Sequence, residues 1–333
     1  SQFLPNGIST SKYNCITFLP KNLWEQFHKL ANVYFLGIAV LQSIPEISVS
    51  GGIPNILLPL GFVLCVSAIK DLLEDFKRKS SDKDENTRST MVRRNNTWES
   101  VLWKDINVGD IVKIAKDDNF PADIVLLNSS EPKGICYIET KNLDGETNLK
   151  HKLASKDTIS YFSDISRADD LVLSIRCEDP NPMIYQFYGV LDLSGTTIPL
   201  SNEQFLLRGS SLKNTDWIVG IVVYTGHESK IMLNSSNAKT KYSKLETQMN
   251  KQIIFVFLMQ LALCVTCALF YAIWFSQNKD NTDQYLELTT SQDNSLLQFV
   301  ILFFSWMLIF TNFVPISLLV TLEMVKFLQA IFI

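Results

Sequence analysis

A short acidic and hydroxyl-rich stretch is the clearest candidate for chemistry in this sequence. It runs from Glu139 to Lys150 and contains the sequence Asp144-Gly145-Glu146-Thr147. A glycine among polar residues is typical of a tight exposed loop, so we expect this one to present the Glu146 carboxylate to solvent. A carboxylate presented in this way can orient or deprotonate a water molecule. A solvated turn without chemistry is the alternative interpretation, and the loop alone does not decide between the two.

A proline inside a long apolar run is the second candidate. Pro315 is accompanied by Thr311, Asn312 and Ser317, the main polar residues of that run. Proline removes one helical hydrogen bond, which predicts a broken helix and a released carbonyl at Thr311. Such a break is tolerated at membrane depth where the freed groups are buried or line a wet cavity. An ordinary packing kink and a transport path are therefore both open.

The distribution of charged residues divides the chain into four charge-free runs and one charged stretch. Charged residues are absent from Leu30–Pro45, Ile47–Ile69, Gln252–Asn278 and Asn294–Leu322. The stretch 77–251 is about 27% charged, as soluble domains usually are. The net charge of −4 gives no basic field, so we expect no nucleic-acid partner.

The charge-free runs predict membrane helices, which need roughly 20 apolar residues. Ile253–Phe275 and Leu296–Val320 are long enough, and Ile53–Ile69 is borderline. Leu30–Ile44 is short and has a buried core helix as its alternative. We predict an α-helical membrane protein with four spans in two hairpins. The predicted parts are a cytosolic N-terminal segment (1–27), spans 1 and 2 (28–76), a cytosolic insert (77–251) and spans 3 and 4 (252–333).

Basic residues near the span ends set the predicted orientation. Lys70, Lys77 and Lys244 flank the insert, whereas the stretch Gln277–Ser295 has one lysine against four acidic residues. Basic residues favour the cytosolic side. The insert therefore faces the cytosol of an integral membrane protein in the plasma membrane or an endomembrane.

The insert itself has the pattern of a β domain. Short apolar or alternating runs recur between turn residues, as in Asp123–Leu127, Ile135–Glu139 and Trp217–Tyr224. No helix of crossover length separates them, which predicts an all-β sandwich or small barrel. The sequence indicates no metal site.

Several motifs, in order along the chain, resemble those of the type IV P-type ATPases, the phospholipid flippases. Asp144–Thr147 resembles the Asp-Gly-Glu-Thr signature of their actuator domain. The further matching segments are Thr17–Pro20, Gln42–Glu46, Val108–Val112, Phe120–Asp123, Cys136–Thr140, Leu207–Gly209, Val223–His227, Pro315–Leu318 and Thr321–Glu323. The resemblance implies that the chain is the N-terminal part of a flippase, with four spans and a jelly-roll-like actuator domain.

The resemblance also implies roles for the loop. Glu146 would position a water for attack on an aspartyl-phosphate formed from ATP in a separate domain. Gly145 would let the loop approach the phosphate, and Thr147 would help to hold the water. Asp144 stands where related cation pumps have threonine, which favours the lipid-transporting branch. The Asp-Lys-Thr-Gly-Thr phosphorylation motif does not occur in this sequence, so ATP and Mg²⁺ are expected outside this chain.

The resemblance also implies that residues of the predicted spans line a path for the lipid. Ile316 would be its apolar gate, and Gln42 and Ser43 lie where the family selects the headgroup. A polar cap at the membrane interface is the alternative interpretation of these two residues. Ser43 departs from the usual second glutamine of aminophospholipid flippases, and phosphatidylserine or phosphatidylethanolamine is the expected cargo. The residues implied along the path are Gln42, Ser43, Asn312, Pro315, Ile316 and Ser317.

Two other functions remain open at this point. The chain could be a non-catalytic flippase-like module of a larger signalling protein, such as a guanylate cyclase. A cation pump is the other alternative, although the spans carry no central charge. The expected partners of a flippase are the phospholipid, the membrane and its own phosphorylation and nucleotide-binding domains. The family also implies a possible two-span glycoprotein subunit, for which the acidic stretch Gln277–Ser295 is a candidate contact.

Overall fold

The chain divides into two compact units. The computed structural model describes residues 3–14, 16–48, 50–94, 97–162, 173–193, 195–235, 244–286 and 295–332. The first unit, here called the β unit, comprises Ser1–Thr10 and Arg78–Thr240. The second, here called the helical unit, comprises Ser11–Lys77 and Lys241–Ile333.

The β unit is mostly antiparallel. Its strands are β1 Ser89–Arg94, β2 Thr97–Leu102, β3 Ile111–Ala115, β4 Asp123–Ser129, β5 Ile135–Glu139, β6 Lys150–Leu153, β7 Leu173–Cys177, β8 Gly189–Leu193, β9 Thr196–Leu200, β10 Phe205–Leu206, β11 Ser211–Lys213 and β12 Trp217–Tyr224. A six-stranded sheet has the order β10-β4-β12-β3-β1-β2, and two smaller sheets have the orders β11-β5-β6 and β7-β8-β9. Every described pairing is antiparallel.

The six-stranded sheet is covered on both faces. On β4, Ile124 and Leu126 belong to one apolar cluster, while Val125 and Leu127 belong to the other. Successive side chains of a strand point to opposite faces, so both faces of β4 contribute to the core. This double burial explains why the strand is a continuous apolar run in the sequence.

Helices complete both units. They are α1 Phe18–Gln26, α2 Leu30–Gln42, α3 Leu57–Asn86, α4 Lys141–Asp144, α5 Lys156–Phe162, α6 Lys230–Ser235, α7 Lys244–Leu286, α8 Ser295–Ile309 and α9 Ile316–Phe332. Because α4, α5 and α6 lie in the β unit, the predicted all-β description was too narrow. Of these three helices, α4 lies in the stretch that we predicted as an exposed loop. The acidic stretch Gln277–Ser295 is helical as far as Leu286, and residues 287–294 lie outside the described residues.

One described helix can cross a membrane by length and composition. It covers Thr247–Trp274 within α7. The helices Phe299–Phe313 and Ile316–Gln329 meet at a 41° bend and qualify as a second span only if they are counted together. Leu30–Gln42 is apolar but shorter than a span. Four spans therefore remain a proposal.

The first residues of the chain are built into the β unit. The buried Asn6 side chain donates hydrogen bonds to the carbonyls of Trp103, at 2.7 Å, and Pro121, at 3.1 Å. Its Oδ1 accepts from the Arg208 guanidinium and the Gly226 amide, both at 2.9 Å. The structure thus divides the segment that we predicted as one piece, 1–27, after residue 10.

Candidate functional site

The Asp-Gly-Glu-Thr loop follows β5 through the single turn of α4. The Gly145 amide donates to the Lys141 carbonyl at 3.1 Å and ends that turn. Gly145 has φ of 77°, the left-handed conformation that favours glycine at a helix C-terminus. A Cβ at this position would meet no atom within 4 Å. The backbone angle, and not a lack of space, therefore explains the glycine.

Asp144 is the polar centre of the loop. Its carboxylate accepts hydrogen bonds from the Thr140 hydroxyl, at 3.0 and 2.9 Å, and from the Glu146 amide, at 2.9 Å. The Lys150 ammonium donates to Asp144 Oδ2 at 2.6 Å. The bond from Lys150, with smaller contributions from the Glu146 amide and Thr140, lowers the pKa of Asp144 to about 2. Asp144 thus holds the loop together as a carboxylate throughout the physiological range.

Glu146 projects outward from this centre. Its side chain is 56% exposed, and its Oε2 lies 2.9 Å from the Lys150 ammonium. Thr147 is also exposed. The four predicted loop residues therefore present one carboxylate and one hydroxyl to whatever approaches the β unit at this point.

Thr140 and Lys150 were not among the predicted site residues. Both lie in the predicted polar stretch 139–150, where no role was given to them, and Lys150 lies four residues after Glu146. An acid and a base four residues apart are a known pairing signal on helices, but this segment is a loop. Their contact with Asp144 depends on how the chain turns at Gly145, which the spacing alone does not reveal.

A cavity of about 220 Å³ lies against the same loop. Thr140, Asp144 and Lys150 contribute to its wall, together with Lys152 and Tyr185. Burial lowers the pKa of Lys152 to about 8. Its ammonium donates to the Asn202 carbonyl.

The buried carboxylate of Asp123 joins two of the predicted motifs of the β unit, Phe120–Asp123 and Leu207–Gly209. Asp123 is fully buried and accepts the backbone amides of Arg208, at 2.8 Å, and Lys230, at 2.7 Å. Burial raises the pKa of Asp123 to about 6, against the lowering effect of those two amides. The role visible here is structural, because Asp123 joins three separate segments of the chain.

In the helical unit, the predicted headgroup residues make local hydrogen bonds. Gln42 Oε1 accepts the Ile56 amide at 3.3 Å, and the Ser43 hydroxyl donates to the Ala39 carbonyl at 3.0 Å. Ser43 is exposed and Gln42 is half-buried. Gln42 thereby links the end of α2 to the segment that leads into α3.

The predicted helix break at Pro315 is present. A 3₁₀ turn covers Phe310–Phe313 between α8 and α9. The prediction that Pro315 leaves the Thr311 carbonyl released was wrong, because this carbonyl accepts the Val314 amide at 3.3 Å. The tighter 3₁₀ spacing supplies a donor three residues away where an α-helix would use the fourth.

The other predicted path residues surround this break. Ile316 is half-buried and packs against the apolar cluster of the helical unit. Asn312 and Ser317 are exposed. The six predicted path residues thus lie in the helical unit, and the four loop residues lie in the β unit.

One buried polar residue of the helical unit, Gln260, was also missed, whereas Glu323 lies in a segment that the sequence analysis had named. Gln260 is fully buried, and its Nε2 donates to the Met307 carbonyl at 3.0 Å. Glu323 lies 3.0 Å from the Lys29 ammonium and 3.8 Å from Lys326, the neighbour three residues later. A lone polar residue in an apolar run is the sequence signal that could have identified Gln260.

Two protein-family models match separate parts of the chain. Residues 1–56 match the phospholipid-translocating ATPase N-terminal family. Residues 84–233 match the P-type ATPase actuator domain, which contains the Asp-Gly-Glu-Thr loop.

Individual relatives cover the whole chain. Phospholipid-transporting ATPase 1 of Arabidopsis thaliana is 40% identical over 99% of this chain, and phospholipid-transporting ATPase tat-1 of Caenorhabditis elegans is 42% identical over 100%. Phospholipid-transporting ATPase IC of Homo sapiens is 39% identical over 100%. The chain spans 26–29% of the length of these relatives. The chain therefore belongs to the phospholipid-transporting P-type ATPases and carries their actuator domain.

Proposed function

We propose that the chain is part of an ATP-driven flippase that moves aminophospholipids from the exoplasmic to the cytosolic leaflet. The observation that carries the proposal is the loop itself. Glu146 is exposed on a turn that Asp144, Gly145 and Lys150 hold in one conformation. Such an arrangement suits a carboxylate that must act on a group supplied by another domain.

The proposed reaction is hydrolysis of an aspartyl-phosphate. Glu146 orients a water molecule and accepts its proton while the water oxygen attacks phosphorus. The bond from phosphorus to the aspartyl oxygen breaks, which returns the aspartate carboxylate and releases inorganic phosphate. Thr147 assists by holding the water, and Gly145 gives the loop its turn. Positioning and electrostatics supply most of the rate in reactions of this class.

The complete protein would supply the other components. ATP and Mg²⁺ would bind to phosphorylation and nucleotide-binding domains outside this chain, and the phosphorylated aspartate would lie there too. The relatives are between three and four times longer than this chain, which leaves room for such domains. A two-span glycoprotein subunit is a further proposed partner, with Gln277–Ser295 as its contact.

The membrane part of the proposal has four spans. We place spans 1 and 2 in 28–76 and spans 3 and 4 in 252–333, with the actuator domain, 77–251, in the cytosol. The phospholipid would pass the break at Pro315 with Ile316 as the apolar gate. Gln42 and Ser43 would contact a phosphatidylserine or phosphatidylethanolamine headgroup, and Asn312 and Ser317 would line the path. The plasma membrane or an endomembrane is the proposed location.

The test is phosphoenzyme decay in the complete protein that contains this chain. After labelling with ATP and a chase, Glu146→Gln should retain the phosphoenzyme about 100-fold longer than wild type, since one positioned proton acceptor contributes about that factor. Glu99→Gln, which changes an exposed glutamate on β2, is the matched control and should decay normally. Normal decay of Glu146→Gln would refute the proposed role.

The same assay separates the alternatives. A non-catalytic module of a signalling protein would form no phosphoenzyme from ATP at all. A cation pump would form one whose decay accelerates with an ion. Acceleration by phosphatidylserine or phosphatidylethanolamine, and not by phosphatidylcholine, is the result expected of an aminophospholipid flippase.

A further inference from the structure

Lys150 contacts both carboxylates of the Asp-Gly-Glu-Thr loop. Its ammonium lies 2.6 Å from Asp144 Oδ2 and 2.9 Å from Glu146 Oε2. It also lies 5.6 Å from the centre of the Tyr185 ring, within range of a cation–π interaction. One side chain therefore bridges the half-buried Asp144 and the exposed Glu146.

The position of Lys150 is itself fixed by the sheet. Lys150 is the first residue of β6 and pairs with Ile138 of β5, the strand that leads into the loop. Thr140, just after β5, bonds to Asp144 from the other side. Asp144 is therefore bonded to a residue on each side of the loop, Thr140 before it and Lys150 after it. Of these two residues, Lys150 also contacts Glu146.

Lys150 holds one oxygen of Glu146 while most of that side chain stays exposed. Its ammonium contacts Oε2 at 2.9 Å, and the Glu146 side chain is 56% exposed. A glutamate side chain has several rotamers of similar energy in water, and holding one of them places the carboxylate before the reacting group arrives. A half-exposed ion pair adds little to stability, so the consequence of this contact is orientation.

We propose that Lys150 is a positioning residue for phosphoenzyme hydrolysis, which holds Glu146 in the orientation that activates water. This inference rests on the proposed function of Glu146. Lys150 does not touch the phosphoryl group in this proposal and acts only through the glutamate.

The experiment measures phosphoenzyme decay in the complete protein for four variants. Lys150→Met keeps the length of the side chain and removes the charge, and its decay should be about 10- to 100-fold slower, the cost of misplacing a reacting group by about 1 Å. Lys150→Arg keeps a charge that can contact both acids and should recover most of the rate. Lys156→Met, an exposed lysine at the start of α5, is the control and should decay normally. Glu146→Gln supplies the reference for complete loss of the glutamate.

The double variant Lys150→Met with Glu146→Gln gives the decisive comparison. If Lys150 acts through Glu146, the double variant should decay no more slowly than Glu146→Gln alone. A misfolded loop would instead slow decay further, and so would a direct contact of Lys150 with the phosphoryl group. The proposal is overturned if the double variant decays more slowly than Glu146→Gln, or if Lys150→Met decays normally. In both cases the proposed role of Glu146 stands as long as Glu146→Gln traps the phosphoenzyme. Normal decay of Glu146→Gln refutes the proposed function, and this inference with it.

Discussion

The Tyr34 hydroxyl donates a hydrogen bond to Gln260 Oε1 at 3.0 Å, across 226 residues of sequence. Gln260 Nε2 in turn donates to the Met307 carbonyl, so one buried amide joins α2, α7 and α8. Hydrogen bonds between helices in an apolar environment contribute about 0.6 kcal/mol on average and up to about 2. Gln260→Leu should therefore lower the thermal midpoint of the detergent-purified protein by several degrees.

A double-mutant cycle with Tyr34→Phe isolates this contact. The coupling free energy between the two positions should be about 0.5–1.5 kcal/mol, and Gln252→Leu, at an exposed position on the same helix, should show no coupling to Tyr34. Additive effects of Tyr34→Phe and Gln260→Leu would show that the hydrogen bond contributes nothing to stability.

Gly145 should resist replacement because of its backbone angle alone. At φ of 77° an alanine costs roughly 1–2 kcal/mol, although its Cβ would meet no neighbouring atom. Under the proposed function, Gly145→Ala should slow phosphoenzyme decay, and Gly145→Asn should slow it less, since asparagine tolerates the left-handed region better. Equal rates for both variants would mean that the turn at Gly145 does not set the position of Glu146.

Asp123 should make the stability of the protein depend on pH. Its pKa is about 6 in the folded chain, against roughly 3.9 for an unfolded aspartate. The folded state therefore binds the extra proton between these values, and the stability contributed by this group falls as pH rises through that range. From pH 5 to pH 7 the loss is about 1 kcal/mol.

The comparison with Asp123→Asn isolates this effect, because all other titrating groups are shared. Asparagine can accept only one of the amides of Arg208 and Lys230 with its single carbonyl oxygen, so the variant should be less stable at every pH. Its deficit in thermal midpoint should be smaller at pH 7 than at pH 5. A deficit that grows with pH would contradict the raised pKa.

Much of the β fold could be predicted from residue patterns. Ile135–Glu139 and Trp217–Tyr224 were predicted with the observed bounds, because each is a short run of apolar, β-branched or aromatic residues between turn signals. Of the missed strands, β6 and β11 have only four and three residues, Lys150–Leu153 is half polar, and β9 contains Pro199. Such strands form because a neighbouring strand offers backbone hydrogen bonds. Their own residues therefore do not predict them.

The candidate site could be predicted less completely. The polar loop and its glycine identified Glu146 as an exposed carboxylate, and the structure shows it exposed. The contacts of Lys150 depend on the left-handed turn at Gly145 and on the pairing of β5 with β6, so spacing could not supply them. Likewise Pro315 predicted a broken helix, but not the 3₁₀ turn that provides the Thr311 carbonyl with a new donor.

Replacing Pro315, which follows the 3₁₀ turn Phe310–Phe313, should change stability and transport in opposite directions. Pro315→Ala restores an amide that the Thr311 carbonyl can accept, so α8 and α9 can continue as one helix. The variant should raise the thermal midpoint of the purified protein, since an interior proline costs a helix about 3 kcal/mol. Under the proposed function, it should also reduce phospholipid-stimulated ATP hydrolysis, because the 41° bend that frames the lipid path is lost.

Pro59→Ala is the matched control for this change. Pro59 is the third residue of α3, where its missing amide would have no acceptor within the helix, so the replacement should leave both the midpoint and the ATPase activity near wild type. If Pro315→Ala is more stable than wild type and still hydrolyses ATP at the wild-type rate in response to lipid, the bend is a packing feature and the path lies elsewhere. If it is less stable, the break is required by the packing of Val314 and Ile316 in the apolar cluster, and the helix cannot be continued through it.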